Sequence, residues 1–469
     1  MPRKNKVQNF SQLQVVDISA KGAGVAKTVQ GQVLFVPGAI PGDIINATAF
    51  KKRKGVLEGR LNAIEQPSPH RIDPKCDYFG TCGGCKWQNM SYPAQLEFKQ
   101  NIVTQNLYKI GHITPQETLP IKGSDAVYFY RNKMEFSFSN QRWLEQSEIE
   151  ASETILTKNG LGFHKPGMWD KVVDIQQCHL QGDPSNAIRN WIKAFAESKG
   201  LAFFDPRNQS GFLRTLMIRN TRIGEIMVLI QFFHEDQENR VALLTALKAA
   251  FPQITSLLYC INPKGNDSLY DQDIQCFDGR DYIVEKMGNL EFEITAKSFY
   301  QTNSKQAEVL YQIAHEFAGL EGHEVVYDLY TGTGTIAQFI AADCQKVVGI
   351  EAVDDAVKAA VKNAKRNKIE NAFFEVGDMK ACFDDDFIDR HGRPQVIITD
   401  PPRDGMHPKV IAQLLKIAPQ KIVYVSCNSA TQARDLDMLK EVYEVRRSQA
   451  VDMFPQTHHI ENVVLLTHR

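Results

Sequence analysis

No apolar run in the chain approaches the roughly 20 residues that a membrane-spanning helix needs. The first residues, Met1-Pro2-Arg3-Lys4-Asn5-Lys6, lead into no hydrophobic segment. No signal peptide is expected, and the expected compartment is the cytoplasm. Charge of one sign is lacking too: a net charge of -1 excludes a uniformly basic protein. Nine cysteines, an odd number, argue against a pure disulfide framework. Neither internal repeats nor a low-complexity tract occur in the 469 residues. What is present, 43% hydrophobic and 23% charged residues, is the composition of a soluble globular protein. The length allows about two to four domains, each with its own core.

The neutral total hides a local imbalance. Arg3, Lys4, Lys6, Lys21, Lys27, Lys51, Lys52, Arg53, Lys54 and Arg60 face only Asp17, Asp43 and Glu58 at the N-terminal end. A basic domain on a more acidic body is a pattern of polyanion binders. Residues 8–66 alternate short apolar stretches with turns. Leu13-Gln14-Val15-Val16, Gly24-Val25-Ala26, Val33-Leu34-Phe35-Val36 and Ile44-Ile45-Asn46-Ala47 read as strands; Gly22, Gly31, Gly38 and Pro41-Gly42 break them. Evenly spaced short strands in so small a unit predict a barrel of OB type. Lys51-Lys52-Arg53-Lys54 then falls in a hairpin or on an edge. Such a run either protects the edge as a solvated charge cluster or neutralises RNA phosphates.

Gln66-Pro67-Ser68-Pro69-His70 reads as a linker. Beyond it, Cys76, Cys82 and Cys85 stand at x5 and x2 spacing, and Gly83-Gly84 lets the backbone fold tightly between the last two. This is metal-ligand spacing. A fourth ligand is needed, and Cys178, in a polar loop-like setting, is the candidate. Spacing alone does not separate zinc from an iron–sulfur cluster, and a redox thiol pair is a third reading.

Residues 91–111 read as a helix with Ser91 as cap, Pro93 in the first turn and Gly111 at its end. Residues 125–290 read mainly as strands, with a surface loop over 146–159. From about 290 strands and helices alternate, which predicts a doubly wound sheet. Open sheets of that kind bind ligands beyond the carboxyl ends of their strands, and the chemistry-bearing residues collect there. Thr331-Gly332-Thr333-Gly334-Thr335 follows one strand, Glu351 ends the next, and Asp378 and Asp400 close two more. A glycine turn paired with an acid that can hold both ribose hydroxyls suits NAD or S-adenosylmethionine. Ile336-Ala337 stand where a pyrophosphate turn would continue, which favours the methyl donor. Asp378 and Asp400 are candidates for adenine and the methionyl amine, or else solvated loop caps. Asp400-Pro401-Pro402-Arg403 fixes a stiff backbone at its strand exit. The run Ile422-Val423-Tyr424-Val425 ends at Ser426-Cys427-Asn428. Cys427 is a candidate nucleophile; a buried structural thiol is the alternative. Glu461, a carboxylate beside the apolar last strand, is a candidate base.

Together these residues resemble the RNA uracil-5-methyltransferases, in particular bacterial 23S rRNA enzymes with a TRAM domain and an iron–sulfur cluster. The resemblance covers nearly the whole chain. It implies a multidomain α/β protein. An OB-like TRAM barrel occupies 1–68. A mainly-β central iron–sulfur domain spans 69–92 and 125–289. A Rossmann-like methyltransferase domain spans 93–124 and 290–469. By the same resemblance Cys76, Cys82, Cys85 and Cys178 hold a four-iron four-sulfur cluster. Gln301, Tyr330, Glu351, Asp378 and Asp400 contact S-adenosylmethionine, Cys427 is the nucleophile and Glu461 the base. The implied partner is RNA, 23S rRNA or alternatively tRNA at uracil 54, with no membrane, and a monomer is expected. Ser429 departs from the proline usual after Cys-Asn, and Thr331 from the usual cysteine before Gly332. The loop from Trp143 to Asn159 has no counterpart in the family pattern. An NAD-dependent oxidoreductase, which has no use for Cys427 with Glu461, and an RNA-binding module without catalysis are the rival classes.

Overall fold

The computed structural model describes residues 7–53, 55–151 and 158–469. Three sheets and one isolated hairpin account for its strands. The strands Gln8–Ile18, Gly24–Lys27, Val33–Val36, Ile44–Arg53 and Val56–Gln66 close into a barrel. Residues 44–49 alternate inward and outward, and Leu13, Val15, Leu34, Val36, Ile45, Ala47 and Leu57 fill the interior. The fifth strand, Val56–Gln66, is not among the apolar stretches read from the sequence, because Glu58, Arg60, Asn62 and Glu65 interrupt it. Lys51, Lys52 and Arg53 extend exposed from the fourth strand, and Lys51 pairs with Glu58 at 3.0 Å. Lys54 lies outside the described residues.

The second sheet has seven strands in the order Gln275–Gly279, Ser256–Ile261, Ile226–Phe232, Leu213–Asn220, Lys133–Ser139, Gly160–His164, Val172–Asp174. Only Ile226–Phe232 and Ser256–Ile261 pair in parallel, across the helix Gln237–Ala250. That helix and Ser185–Ser198 cover one face. Met217, Leu229 and Leu258 on the other face share a core with the C-terminal sheet. The hairpin of Tyr282–Met287 and Leu290–Thr295 sits in that shared core, so the 289/290 limit runs through a paired hairpin. Gln146–Ala151, expected as loop, is a short helix; residues 152–157 of that loop lie outside the described residues.

The C-terminal sheet has eight strands, ordered Ala372–Val376, Lys346–Glu351, Val325–Leu329, Val396–Thr399, Lys421–Ser426, Glu461–His468, Tyr443–Val451, Glu117–Lys122. The first five are parallel; Ala372–Val376 is a partly exposed edge, and the four strands inside it are buried on both faces, as continuous apolar runs require. Glu461–His468 runs antiparallel to both neighbours. The helix Ser304–Ala318 packs on one face, and Tyr92–Lys109, Pro408–Ile417 and Ser429–Leu439 on the other. Pro93 stands in the first turn of Tyr92–Lys109, but the Ser91 hydroxyl makes no capping bond; its backbone N–H instead donates to His70 O at 2.8 Å. No helix among the described residues is long and apolar enough to cross a membrane.

Candidate active site

The antiparallel last strand creates the site. Its register pairs Ser426 with Asn462, so Cys427, just past one strand's carboxyl end, meets Glu461 at the amino end of its neighbour. Cys427 leads into the helix Ser429–Leu439, which Asn428 caps by accepting from Ala430 N at 3.2 Å. The Asn428 amide also donates to Arg403 O at 2.9 Å, and the Thr431 hydroxyl to the same oxygen at 3.0 Å. The Asp-Pro-Pro-Arg turn is thereby fastened to the helix that follows Cys427. Ser429, at the position where proline was expected, is buried and accepts from Asn106 Nδ2 at 2.8 Å, tying that helix to Tyr92–Lys109.

The electrostatics are set by burial among acids. Burial first, then the Glu461 and Asp400 carboxylates, push the Cys427 thiol up to about 11, against a hydrogen bond from Arg403. Burial and neighbouring Asp328 raise Asp400 to about 7. Glu461, 5% exposed, is raised well above the carboxylate range by burial and by Asp400, with Arg403 opposing. Arg403 also lies 3.4 Å from Nδ1 of His459. The His458 and His459 rings lie 4.2 Å apart, tilted by 36°. Burial and the surrounding cations lower them to about 3 and about 4, so both rings are neutral.

Next to these groups run the strand ends expected to hold a cofactor. Glu351 accepts from Gly332 N at 3.1 Å and from Val353 N at 3.0 Å, bridging the glycine turn to the following helix. Asp328 is wholly buried and accepts from the Thr331 hydroxyl and from Ala337 N, with Oδ1 unpartnered. The threonine in the usual cysteine position thus hydrogen-bonds the strand below it. Tyr330 sits at φ +64, a region bulky residues rarely adopt. Gly334, at φ +73, has no room for a Cβ, which would lie 2.7 Å from the Phe374 ring. Gln301 reaches this turn through its own segment: Thr333 Oγ1 donates to Phe299 O at 3.4 Å, and Asn132 Nδ2 donates to Gln301 O at 2.9 Å. Asp378 lies on the surface just past the end of its strand. It is exposed, caps the short helix Met379–Cys382, and pairs with Lys380 at 3.1 Å, which lowers its pKa.

Sequence reasoning missed the groups that hold the segment before Glu461. Lys99 Nζ reaches Asp452 Oδ1 at 2.6 Å and Phe454 O at 3.2 Å. Asn303 Nδ2 donates to Met453 O at 3.0 Å and Tyr130 Oη to Pro455 O at 2.9 Å. Lys86 N and Trp87 N both donate to Gln456 O, at 2.9 and 3.1 Å. Partners so distant in the chain leave no local signal.

Cys76, Cys82 and Cys85, singled out by spacing, and Cys178, the candidate fourth ligand, line one cavity of about 530 Å³. Burial raises Cys76 to about 11 and Cys85 to about 12, and each thiol is pushed further by the other cysteines. Gly83, at φ +74, has Pro166 against it: a Cβ there would lie 2.1 Å from Pro166 Cγ. Among the described residues no three of the four sulfurs lie within 4.8 Å of one another. Among the described residues, Arg131 Nε and His179 Nδ1, on the same lining, have no hydrogen-bond partner.

A doubly wound sheet with a reversed last strand, a barrel in front and a thiol facing a buried carboxylate define a methyltransferase architecture. The sequence pattern described as tRNA (Uracil-5-)-methyltransferase matches residues 387–469, and that of the TRAM domain matches residues 12–61. An uncharacterized RNA methyltransferase of Porphyromonas gingivalis is 51% identical over 461 residues, 97% of this chain and 99% of that protein. One from Bacteroides thetaiotaomicron is 49% identical over 452 residues, 96% of this chain and 99% of that one. The crystal structure of Pyrococcus abyssi tRNA (uracil-54, C5)-methyltransferase with S-adenosyl-L-homocysteine superposes with a TM-score of 0.75. It is 26% identical and covers 98% of this chain and 100% of its own. The chain belongs to the RNA uracil-5-methyltransferase family.

Proposed function

We propose that the protein transfers the methyl group of S-adenosylmethionine to C5 of a uridine in 23S rRNA, through a covalent bond between Cys427 and C6. The observation that carries this reading is the meeting of Cys427, Arg403 and Glu461 across the reversed last strand. C5 of uracil is a weak nucleophile. Addition of the Cys427 thiolate to C6 converts the ring to an enolate whose C5 attacks the donor methyl; the methyl–sulfur bond breaks, its electron pair stays on sulfur, and S-adenosylhomocysteine is the leaving group. The bound donor supplies an electrophilic methyl and a local positive charge. Gln301, Tyr330, Glu351, Asp378 and Asp400 bind and orient it. Glu461 then takes the C5 proton, the C5–C6 double bond re-forms, and the Cys427 sulfur leaves with its electron pair. Because the resting thiol is protonated, Arg403 and the positive charge of the donor are needed to bring out the thiolate. The uridine must leave its stack to reach Cys427.

Cys76, Cys82, Cys85 and Cys178 hold a four-iron four-sulfur cluster in this reading. Four thiols around one cavity suit it. The choice of a cluster over a single zinc ion rests on the family resemblance of the four-cysteine set, not on its spacing. No step of the methyl transfer passes through the cluster; its ligand loop packs on the segment that carries Glu461.

Large-subunit rRNA is supported by the TRAM barrel and cysteine quartet on one chain. A second reading, methylation of tRNA uridine 54, is favoured by the full-length likeness to the Pyrococcus tRNA enzyme. Incubation with labelled donor and unmodified RNAs, followed by mass-spectrometric mapping of 5-methyluridine, separates the two. Cys427→Ala is expected to abolish labelling while RNA binding persists. Glu461→Gln is expected to slow release by about 10²–10⁴-fold and to accumulate a methylated protein–RNA adduct on a denaturing gel. A Glu461→Gln enzyme that turns over without adduct would remove Glu461 as the base.

A further inference from the structure

Beside the cysteine cavity the surface carries aromatic rings that the methyl transfer does not use. Phe129 sits at φ +55, where a bulky side chain is an outlier. The backbone is held there from both sides. Phe129 N donates to His179 O and Arg131 N to Leu180 O, each at 2.8 Å, while the Tyr130 hydroxyl is anchored on Pro455 O. Neighbouring structure that over-determines a strained residue is a feature of functional surfaces. Its outcome here is a phenyl ring that is 48% exposed. The Lys75 ammonium lies 5.0 Å from that ring and 5.1 Å from the ring of Tyr128. His179 meets both rings edge-on. Across the cysteine loop a second turn carries an exposed indole and, separately, a lysine over a half-buried ring. Pro166 seats on Gly83, Trp169 three residues on is 67% exposed, and Lys165 lies 4.8 Å from the Trp143 ring.

A single exposed aromatic needs no explanation. Two adjacent rings under one cation, with an exposed indole across the loop, match what a single strand offers: bases stack on rings and phosphates meet ammonium groups. Duplex RNA hides its base faces and has no use for such a surface. We propose that Lys75, Tyr128 and Phe129, with Trp169 across the cysteine loop, form a stacking site for unpaired RNA bases near the target uridine. This rests on the reading of the chain as an RNA methyltransferase and adds which residues grip the strand.

The test uses the full-length protein and a single-stranded RNA of about 20 nucleotides carrying 2-aminopurine, beside the duplex of the same sequence. In Tyr128→Leu/Phe129→Leu and in Trp169→Leu, single-strand affinity is expected to fall on the order of 10-fold per ring removed. Quenching of 2-aminopurine is expected to be lost, with duplex affinity and the salt slope unchanged. Lys75→Gln is expected to keep the quench and flatten the logarithmic salt slope by about 0.7. Wild-type affinity and quenching in the aromatic variants would overturn the proposal, as would an equal loss on single strand and duplex. Lys75 and Trp169 are exposed, so their variants decide the matter even if the double variant does not fold. A wild type that quenches yet methylates no RNA would keep the stacking site and remove the proposed reaction. Methylation by the wild type with undiminished binding in the variants would remove the stacking site alone.

Discussion

At the scale of single residues the site is a set of acids that share too little water. Asp328, Asp400 and Glu461 are each raised first by burial, and Asp400 and Glu461 next by a neighbouring carboxylate. Such a group binds its proton more tightly folded than unfolded. The resulting stability is full below the unfolded value near 3.8 and is lost as pH rises through the folded value of about 7. Asp400→Asn carries no charge at any pH and escapes that loss. Its melting temperature is therefore expected to exceed the wild type's at about pH 8, by the equivalent of roughly 1–3 kcal/mol, and to converge with it at about pH 4. A constant difference across that window, read by thermal melts, would show that Asp400 does not titrate as a buried acid. The same substitution is expected to weaken donor binding, because in the proposed function this carboxylate faces a cationic ligand. Stability gained and function lost at one position is the signature of a site kept for chemistry.

At the scale of elements, the helix Tyr92–Lys109 is fixed by a charge in its buried face. Lys99 and Asp452 are both fully buried, 2.6 Å apart, with the Trp87 ring 5.7 Å from the ammonium. Burial lowers the Lys99 pKa and the Asp452 carboxylate opposes that shift. Lys99→Met leaves Asp452 buried and unpaired, and is expected to cost about 3–5 kcal/mol in denaturant unfolding. Lys99→Met/Asp452→Asn is expected to recover much of that. If the single variant unfolds like the wild type, the pair does not fasten this helix. The sequence could not show this contact: lysine on a helix reads as a solvated position, and its partner is 353 residues away. Legibility follows the same physics elsewhere. Val325–Leu329, Val396–Thr399 and Lys421–Ser426 were readable because parallel strands buried on both faces are short apolar runs, and because each ends in residues that carry chemistry. Tyr443–Val451 and Glu117–Lys122 were not readable. The first carries Glu444, Arg446, Arg447 and Gln449 and the second, at the sheet edge, contains Pro120. The site was legible where a motif is contiguous, as at Cys427 and Asp400. It was hidden where Asn132, Asn303 and Lys99 act across the fold.

At the scale of the whole molecule, the barrel, the cysteine loop and the methyltransferase sheet meet around residues 452–459. The Trp87 indole donates to Gly22 O of the barrel at 3.1 Å, while its backbone N–H reaches Gln456 O. Gln456 itself sits at φ +68 and is clasped by Gln95 at 3.0 Å. Arg131, on the cysteine cavity, lies 5.9 Å from the Phe454 ring. The segment that ends in Glu461 is therefore braced from three directions, and the cysteine loop is one of the braces. Cys85→Ser removes one thiol of the quartet two residues before Trp87. The amides of Lys86 and Trp87, and those of 452–459, are expected to lose hydrogen-exchange protection by about 10-fold or more. Val325–Leu329 and Lys421–Ser426, held by the sheet core, are expected to keep theirs. If Glu461 is the base of the proposed reaction, methylation is expected to fall through kcat, because a mobile Glu461 slows proton removal. Unchanged exchange at 452–459 would mean that the cysteine cavity and the segment leading to Glu461 are energetically independent. Protection lost throughout the chain would instead mean that the centre supports folding as a whole. Loss confined to 86–87 and 452–459 is the pattern that a local brace produces.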